Sequence, residues 1–334
     1  MDDMDSRHVI LPMVKPLMHW LTIEEIEEIA INQPGEIWLR LRKPDEKGDI
    51  WVRRVDEELS RDYLLNVIYA LANVSNTPDF GPDGSPVTYG TLPGGHRYAA
   101  AIGPNVQYAS GELNPQGTIL FCSRQNRPDI SPQFKDLGLE RGKELSDLTA
   151  AIQRKSDSSD PLERLLSSIT RGDHIMVSGA TGSGKTTLLN KIIGMLPQNL
   201  RIVTVEDTSE IRVSQPNHMH ILMNRSGQSN KFDYKSVVDL VVRMTPDVVM
   251  AGEISTTNAA TIWELMRSGH GSFMTTIHAE STAEALSSFV TRIEHSAPAA
   301  ASDRERLISE MKAKIRIVQI SRDHNGRRRI TAVA

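Results

Sequence analysis

Residues 179–187, GATGSGKTT, constrain this chain more than any other stretch. Gly179, Gly184, Lys185 and Thr186 meet the spacing G-x-x-x-x-G-K-[ST], and the apolar run at 174–178 before them reads as a buried strand. A strand, a glycine-rich loop and a helix in that order build a phosphate cradle. The glycines let the loop turn its backbone N–H groups inward, and the helix adds its positive N-terminal end. A chance Gly-Ser turn would lack the Lys-Thr pair and the fitting flanks. Gly179, Thr181, Gly182, Ser183, Gly184, Lys185, Thr186 and Thr187 are therefore expected to hold a nucleoside triphosphate, with Lys185 on the β- and γ-phosphates and Thr186 on Mg²⁺.

The remaining length, within 334 residues, leaves room for a second domain. The boundaries read as an α+β domain over 1–124, a linker over 125–134 and an ATPase domain over 135–334. In the first domain, apolar residues recur at helical spacing from Val9 to Leu21, with Pro12 and Pro16 expected to cut any helix there into short pieces or to stand as first-turn residues. Strand candidates are 36–42, 49–54, 87–92, 97–102 and 118–123, with a helix over 59–74 and a helix or strand over 23–31. From Ser131 onward strand and helix alternate, which calls for a mostly parallel sheet with right-handed crossovers. Its strands are expected at 174–178, 201–206, 218–223, 247–251 and 272–277, and its helices at 184–195, 233–244, 257–267, 281–294 and 303–313. The tail reads as a hairpin around Asn325-Gly326, and the polar KSDSSD at 155–160 as a surface loop.

Ligands of such a sheet sit beyond the carboxyl ends of its strands, so acids there matter. Glu206 follows one strand and Glu253 another, and both can reach the phosphate loop. Carboxylates near Mg²⁺ and one that orients or deprotonates the attacking water are what phosphoanhydride cleavage needs. Glu253 is the first choice for the water, since Gly252 stands where an aspartate is usual; Glu206 and Glu253 are also the candidate metal carboxylates. His278, at the end of the 272–277 strand, is read as a donor sensing the γ-phosphate.

Other signals are weaker. His218, His220, His270 and His278 lack the ordered spacing of a zinc site. Asn230-Lys-Phe-Asp233 spells a guanine-reading string but precedes the Glu253 strand instead of following a late one. Arg327, Arg328 and Arg329 read as a solvated strand edge, and RSGQSN at 225–230 is not an ABC-type signature. The net charge of −4 argues against stable nucleic-acid binding, although a local basic patch remains open. Cys122 is the only cysteine, so no internal disulfide can form. An acidic N-terminus and the absence of an apolar run near the roughly 18 residues of a membrane span give a cytoplasmic expectation.

Taken together, EIAINQPGEIW (28–38), LPGGHR (92–97), GATGSGKTT, VTVEDTSEI (203–211), VVRMTPDVVMAGE (241–253) and TTIHAES (275–281) resemble, in this order, the type II/IV secretion ATPase superfamily. Within it they look like the traffic ATPases of type IV secretion systems. The resemblance implies a RecA-like P-loop domain behind a smaller α+β domain, a homo-hexameric ring with ATP between the two domains, and Mg²⁺-dependent hydrolysis. It implies a place on the cytoplasmic face of the inner membrane, peripherally attached, beside other secretion-machine ATPases and inner-membrane components. It also implies that Arg97 and Arg124 close over the nucleotide. The family commonly reads G-E-[hydrophobic]-R with Glu three residues on, whereas this chain has Ser255 and Asn258. Rival readings are a pilus extension or retraction ATPase and a RecA-like nucleic-acid motor.

Overall fold

The computed structural model describes residues 3–334 apart from 76, 78, 82–83, 109–112, 128–158, 224–232, 270, 302, 324 and 326. Most of the expected linker, most of KSDSSD, His270, Asn230 and Gly326 lie outside the described residues.

The N-terminal half is a six-stranded sheet in the order β3-β2-β1-β7-β5-β4. Its strands are β1 (Ile26–Ile31), β2 (Glu36–Leu41), β3 (Trp51–Val55), β4 (Val87–Thr91), β5 (Arg97–Gly103) and β7 (Thr118–Arg124), all paired antiparallel. One face packs on α1 (Asp3–Leu21) and α2 (Arg61–Val74) through Val14, Leu17, Leu21, Leu64, Ile68, Ile29, Ile31 and Phe121. Helix α1 runs straight through Pro12 and Pro16, which corrects the expectation of broken pieces. The two prolines lie one helical turn apart away from the buried stripe Ile10, Val14, Leu17 and Leu21, and burial of that stripe outweighs the lost backbone hydrogen bonds. Side chains alternate along a strand, so Ala30, Trp38, Ala99, Ala101 and Cys122 point the other way, into the core of the C-terminal half.

That half is an eight-stranded sheet in the order β14-β13-β8-β12-β11-β9-β10-β6. Strands β8 (His174–Ser178), β9 (Ile202–Glu206), β10 (His218–Leu222), β11 (Val248–Ala251), β12 (Ser272–Ile277) and β13 (Ile315–Arg322) run parallel; β14 (Arg328–Val333) turns back along β13. The helices are α3 (Pro161–Arg171), α4 (Lys185–Ile193), α5 (Tyr234–Arg243), α6 (Ala259–Arg267), α7 (Thr282–Ser296) and α8 (Arg304–Lys314). Helix α3 was not expected from the sequence. Its signals are Asp160, which caps Leu162 N–H, Pro161 in the first turn and Gly172 in the left-handed region at its end.

The two halves are stitched together more closely than a division at 124 suggests. Strand β6 (Val106–Gln107) belongs by sequence to the first domain but pairs antiparallel with β10, covering the open edge of the second sheet. On the face of β1 turned toward the C-terminal half, the buried carboxyl of Glu28 accepts a hydrogen bond from the Thr245 hydroxyl. Thr245 holds a positive φ of 44°, a conformation few non-glycine residues adopt. Asn32, Asn217 and fully buried Arg201 continue this polar seam, with Arg201 Nη1 donating to Asn217 at 2.8 Å and to Asn32 at 3.1 Å.

Candidate functional site

The loop between β8 and α4 forms the floor of a cavity of about 380 Å³ at the carboxyl ends of the strands. Gly184 begins α4 at φ 98°, which a side chain would strain, and Gly179 lies so close to the Ile320 carbonyl that a Cβ there would approach it to 2.3 Å. Thr181, Gly182, Gly184, Lys185, Thr186 and Thr187 all line the cavity, together with Glu206, Glu253 and His278. The loop residues, the two strand-end acids and the histidine thus meet in one place. Ser183 is buried beneath the loop, its hydroxyl within 2.5 Å of where a Gly179 Cβ would stand.

Lys185, Glu253 and His278 form a chain. The Lys185 Nζ lies 3.2 Å from the Ala180 carbonyl and 3.2 Å from His278 Nδ1, and His278 Nε2 lies 3.2 Å from Glu253 Oε1. An ammonium only donates, so Nδ1 accepts, and the proton on Nε2 points at the Glu253 carboxylate. The longer 3.5 Å approach of Nε2 to Lys185 is then incidental. Burial pushes the Lys185 ammonium below the usual lysine range, while the charges of Glu253 and Glu210 act against that.

Asn258, where a glutamate is usual, locks the turn that carries Glu253. Its side chain accepts from Ser255 N–H at 2.8 Å and donates to the Glu253 carbonyl at 2.9 Å. Thr276 Oγ1 holds the Gly252 carbonyl at 2.8 Å. Arg292 on α7 is half-buried with an unpartnered Nη1, and the charge of Glu253 partly offsets the burial that lowers its pKa.

Glu206 is at the site but turned inward. Oε1 accepts the N–H groups of Glu210 at 2.9 Å and Ile211 at 2.8 Å, and Oε2 accepts the Thr204 hydroxyl at 3.3 Å. Burial pushes its carboxyl up against those three bonds. His220 lies 3.9 Å away, but burial pushes its pKa down to about 3, so the pair carries no positive charge. With Oε1 committed to the 207–211 loop and Oε2 to Thr204, Glu206 is held as a positioning group and not as a free metal ligand. Glu210, which sequence reasoning passed over inside its own acidic box, accepts from the Thr186 hydroxyl at 3.1 Å. Thr186, Glu210 and Glu253 are hard oxygen donors in one cavity, which suits Mg²⁺ bound chiefly through substrate phosphates.

Arg97 and Arg124 are elsewhere in this chain. They are neighbours across β5 and β7 and line a different cavity of about 630 Å³ with Arg40, Arg243, Asp239 and Asp247. Arg124 pairs with Glu27 there. The structure of one chain does not bring them to the phosphate loop. Arg328 was expected on a solvated strand edge; exposed as it is, it lines the nucleotide cavity. No helix among the described residues is long and apolar enough to cross a membrane.

Comparison with known proteins adds the lineage. The profile of the family described as "Type II/IV secretion system protein" matches residues 143–316. The chain is 30% identical to the type IV secretion system protein PtlH homolog of Bordetella bronchiseptica over 82% of its own length and 78% of the relative's. It is 24% identical to the type IV secretion system protein VirB11 of Bartonella quintana, covering 97% and 92% of the two. The fold is that of the VirB11 ATPase crystal structure from the Brucella suis type IV secretion system, with a TM-score of 0.80, 21% identity and 97% of each chain covered. A complete phosphate loop, acids and a histidine converging on it and these relationships place one conclusion on firm ground: the chain belongs to the type II/IV secretion system protein family, as an ATPase of the type IV secretion kind.

Proposed function

We propose that this protein hydrolyses ATP to ADP and phosphate with Mg²⁺, as a homo-hexameric ring on the cytoplasmic face of the inner membrane. Its work there is to power type IV secretion beside other secretion-machine ATPases and inner-membrane components. The observation that carries the chemistry is the Lys185–His278–Glu253 chain across the phosphate loop.

Loop N–H groups and the start of α4 receive the α- and β-phosphates. Lys185 exchanges its contacts with Ala180 and His278 for β- and γ-phosphate oxygens, which are stronger, charged acceptors. Released from the lysine, His278 takes up a proton from solvent at Nδ1 and donates it in a hydrogen bond to the γ-phosphate, while Nε2–H steadies Glu253. Glu253, held by Asn258, orients the attacking water and accepts its proton. Bound Mg²⁺ would neutralise charge on the β- and γ-phosphate oxygens, and Thr186, Glu210 and Glu253 are the residues that would hold it or its waters. Glu206 acts by positioning the loop that carries Glu210.

Arg97 and Arg124 fit this scheme as groups that one copy lends to the nucleotide of a neighbour, since their own chain keeps them in a separate cavity. Single-particle images of the purified protein with a non-hydrolysable ATP analogue test the assembly. Six-membered rings support it, and monomers at saturating nucleotide overturn it.

A further inference from the structure

The C-terminal hairpin reaches the nucleotide cavity from a side that the catalytic groups leave open. Strand β13 lies beside β8 in parallel register, Gln319 opposite Ser178, and continues through Ile320 to Arg322 past the point where β8 gives way to the phosphate loop. Strand β14 returns along it and sets Arg328 opposite Arg322. The Arg328 stem lies over the loop: a Cβ added to Gly184 would stand 3.0 Å from its Cδ and 3.4 Å from its Nε. The guanidinium therefore borders the cavity beside the last glycine before Lys185.

Two features give this side chain the character of an anion ligand. Among the described residues it makes no ion pair, and the residue directly across the hairpin is another arginine, a like-charge pairing that costs stability unless an anion relieves it. Its place in the strand order indicates which part of the nucleotide it meets. Glu206, Glu253 and His278 follow β9, β11 and β12, all on one side of β8, whereas β13 and β14 lie on the other. The hydrolysed end of the phosphate chain faces the acids and the histidine, so the hairpin faces the end that remains after hydrolysis.

We infer that Arg328 is a nucleotide-binding residue, closing the cavity from the C-terminal hairpin and gripping the diphosphate that ADP and ATP share. This rests on the phosphate-loop cavity being the nucleotide site. A bound guanidinium of this kind retains product as well as substrate, and it makes the C-terminal hairpin part of the site.

The test measures ADP and non-hydrolysable ATP affinity by titration calorimetry for the wild type, Arg328→Ala, Arg328→Lys and Lys185→Ala. The inference expects Arg328→Ala to weaken both ligands by the same factor, roughly tenfold, with Arg328→Lys recovering part of the loss. Equal affinities in wild type and both Arg328 variants would overturn it. A loss confined to the ATP analogue would also overturn it, because the arginine would then serve the γ-phosphate. A wild type that binds neither ligand, or a Lys185→Ala protein that binds them normally, would instead refute the nucleotide site itself.

Discussion

Lys185 is 7% exposed, and its ammonium bridges the Ala180 carbonyl and His278. Removing a buried cation from a phosphate cradle leaves nothing of like charge reaching the same oxygens from within the loop. Lys185→Ala is therefore expected to lose ATP binding by at least about 10²-fold, measured by titration calorimetry, with its unfolding temperature kept near that of the wild type. Near-wild-type affinity would mean that the loop N–H groups alone hold the nucleotide. The residue scale also explains how this site tolerates departures from its family's pattern. Asn258 fixes the Glu253 turn through backbone groups on both sides, and Lys185 and Arg292 on α7 both feel the charge of Glu253.

Elements carry their own electrostatics at the seam between the sheets. Burial pushes the Glu28 carboxyl up to about 7 from 4.5, against the Thr245 hydrogen bond and the charges of Arg201, Arg40 and Arg124. A raised carboxyl binds its proton more tightly in the folded state, so this contribution is complete below about pH 4.5 and is lost as pH rises through about 7. At about 1.4 kcal/mol per pH unit, ionising Glu28 costs the fold roughly 3 kcal/mol. Glu28→Gln keeps an acceptor for Thr245 without the charge, and is expected to raise the unfolding temperature at pH 8 while changing it little at pH 4.5. An unchanged pH profile would show that Glu28 is not ionised at the seam. This seam was illegible in the sequence, because EIAINQP reads as an ordinary strand and turn whichever face its glutamate takes. The parallel sheet, by contrast, was legible to within two or three residues, since buried strands and amphipathic helices alternate with capping signals between them. Helix α3 escaped because its 11 residues follow a polar stretch, and β6 because two residues carry no periodicity. Loop, acids and histidine could be placed at strand ends from order alone. Which way Glu206 turns, and that Glu210 and Arg328 reach the cavity, depends on loop and hairpin geometry that spacing does not encode.

For the whole molecule, the proposal that Arg97 and Arg124 serve the nucleotide of a neighbouring copy ties nucleotide affinity to assembly. Arg97→Ala, an exposed strand position, is expected to leave folding intact and to weaken ATP binding roughly tenfold only at concentrations where the protein forms rings. Unchanged affinity in assembled protein would make Arg97 an ordinary strand-surface residue. The central claim is that this cavity cleaves ATP with Glu253 activating the water. Phosphate release from ATP by purified protein, with Mg²⁺ present, compared between wild type and Glu253→Gln, tests it most directly. The account predicts steady release by the wild type and, in a variant that still binds ATP, a fall of roughly 10²-fold or more. Equal rates in the two proteins would contradict it.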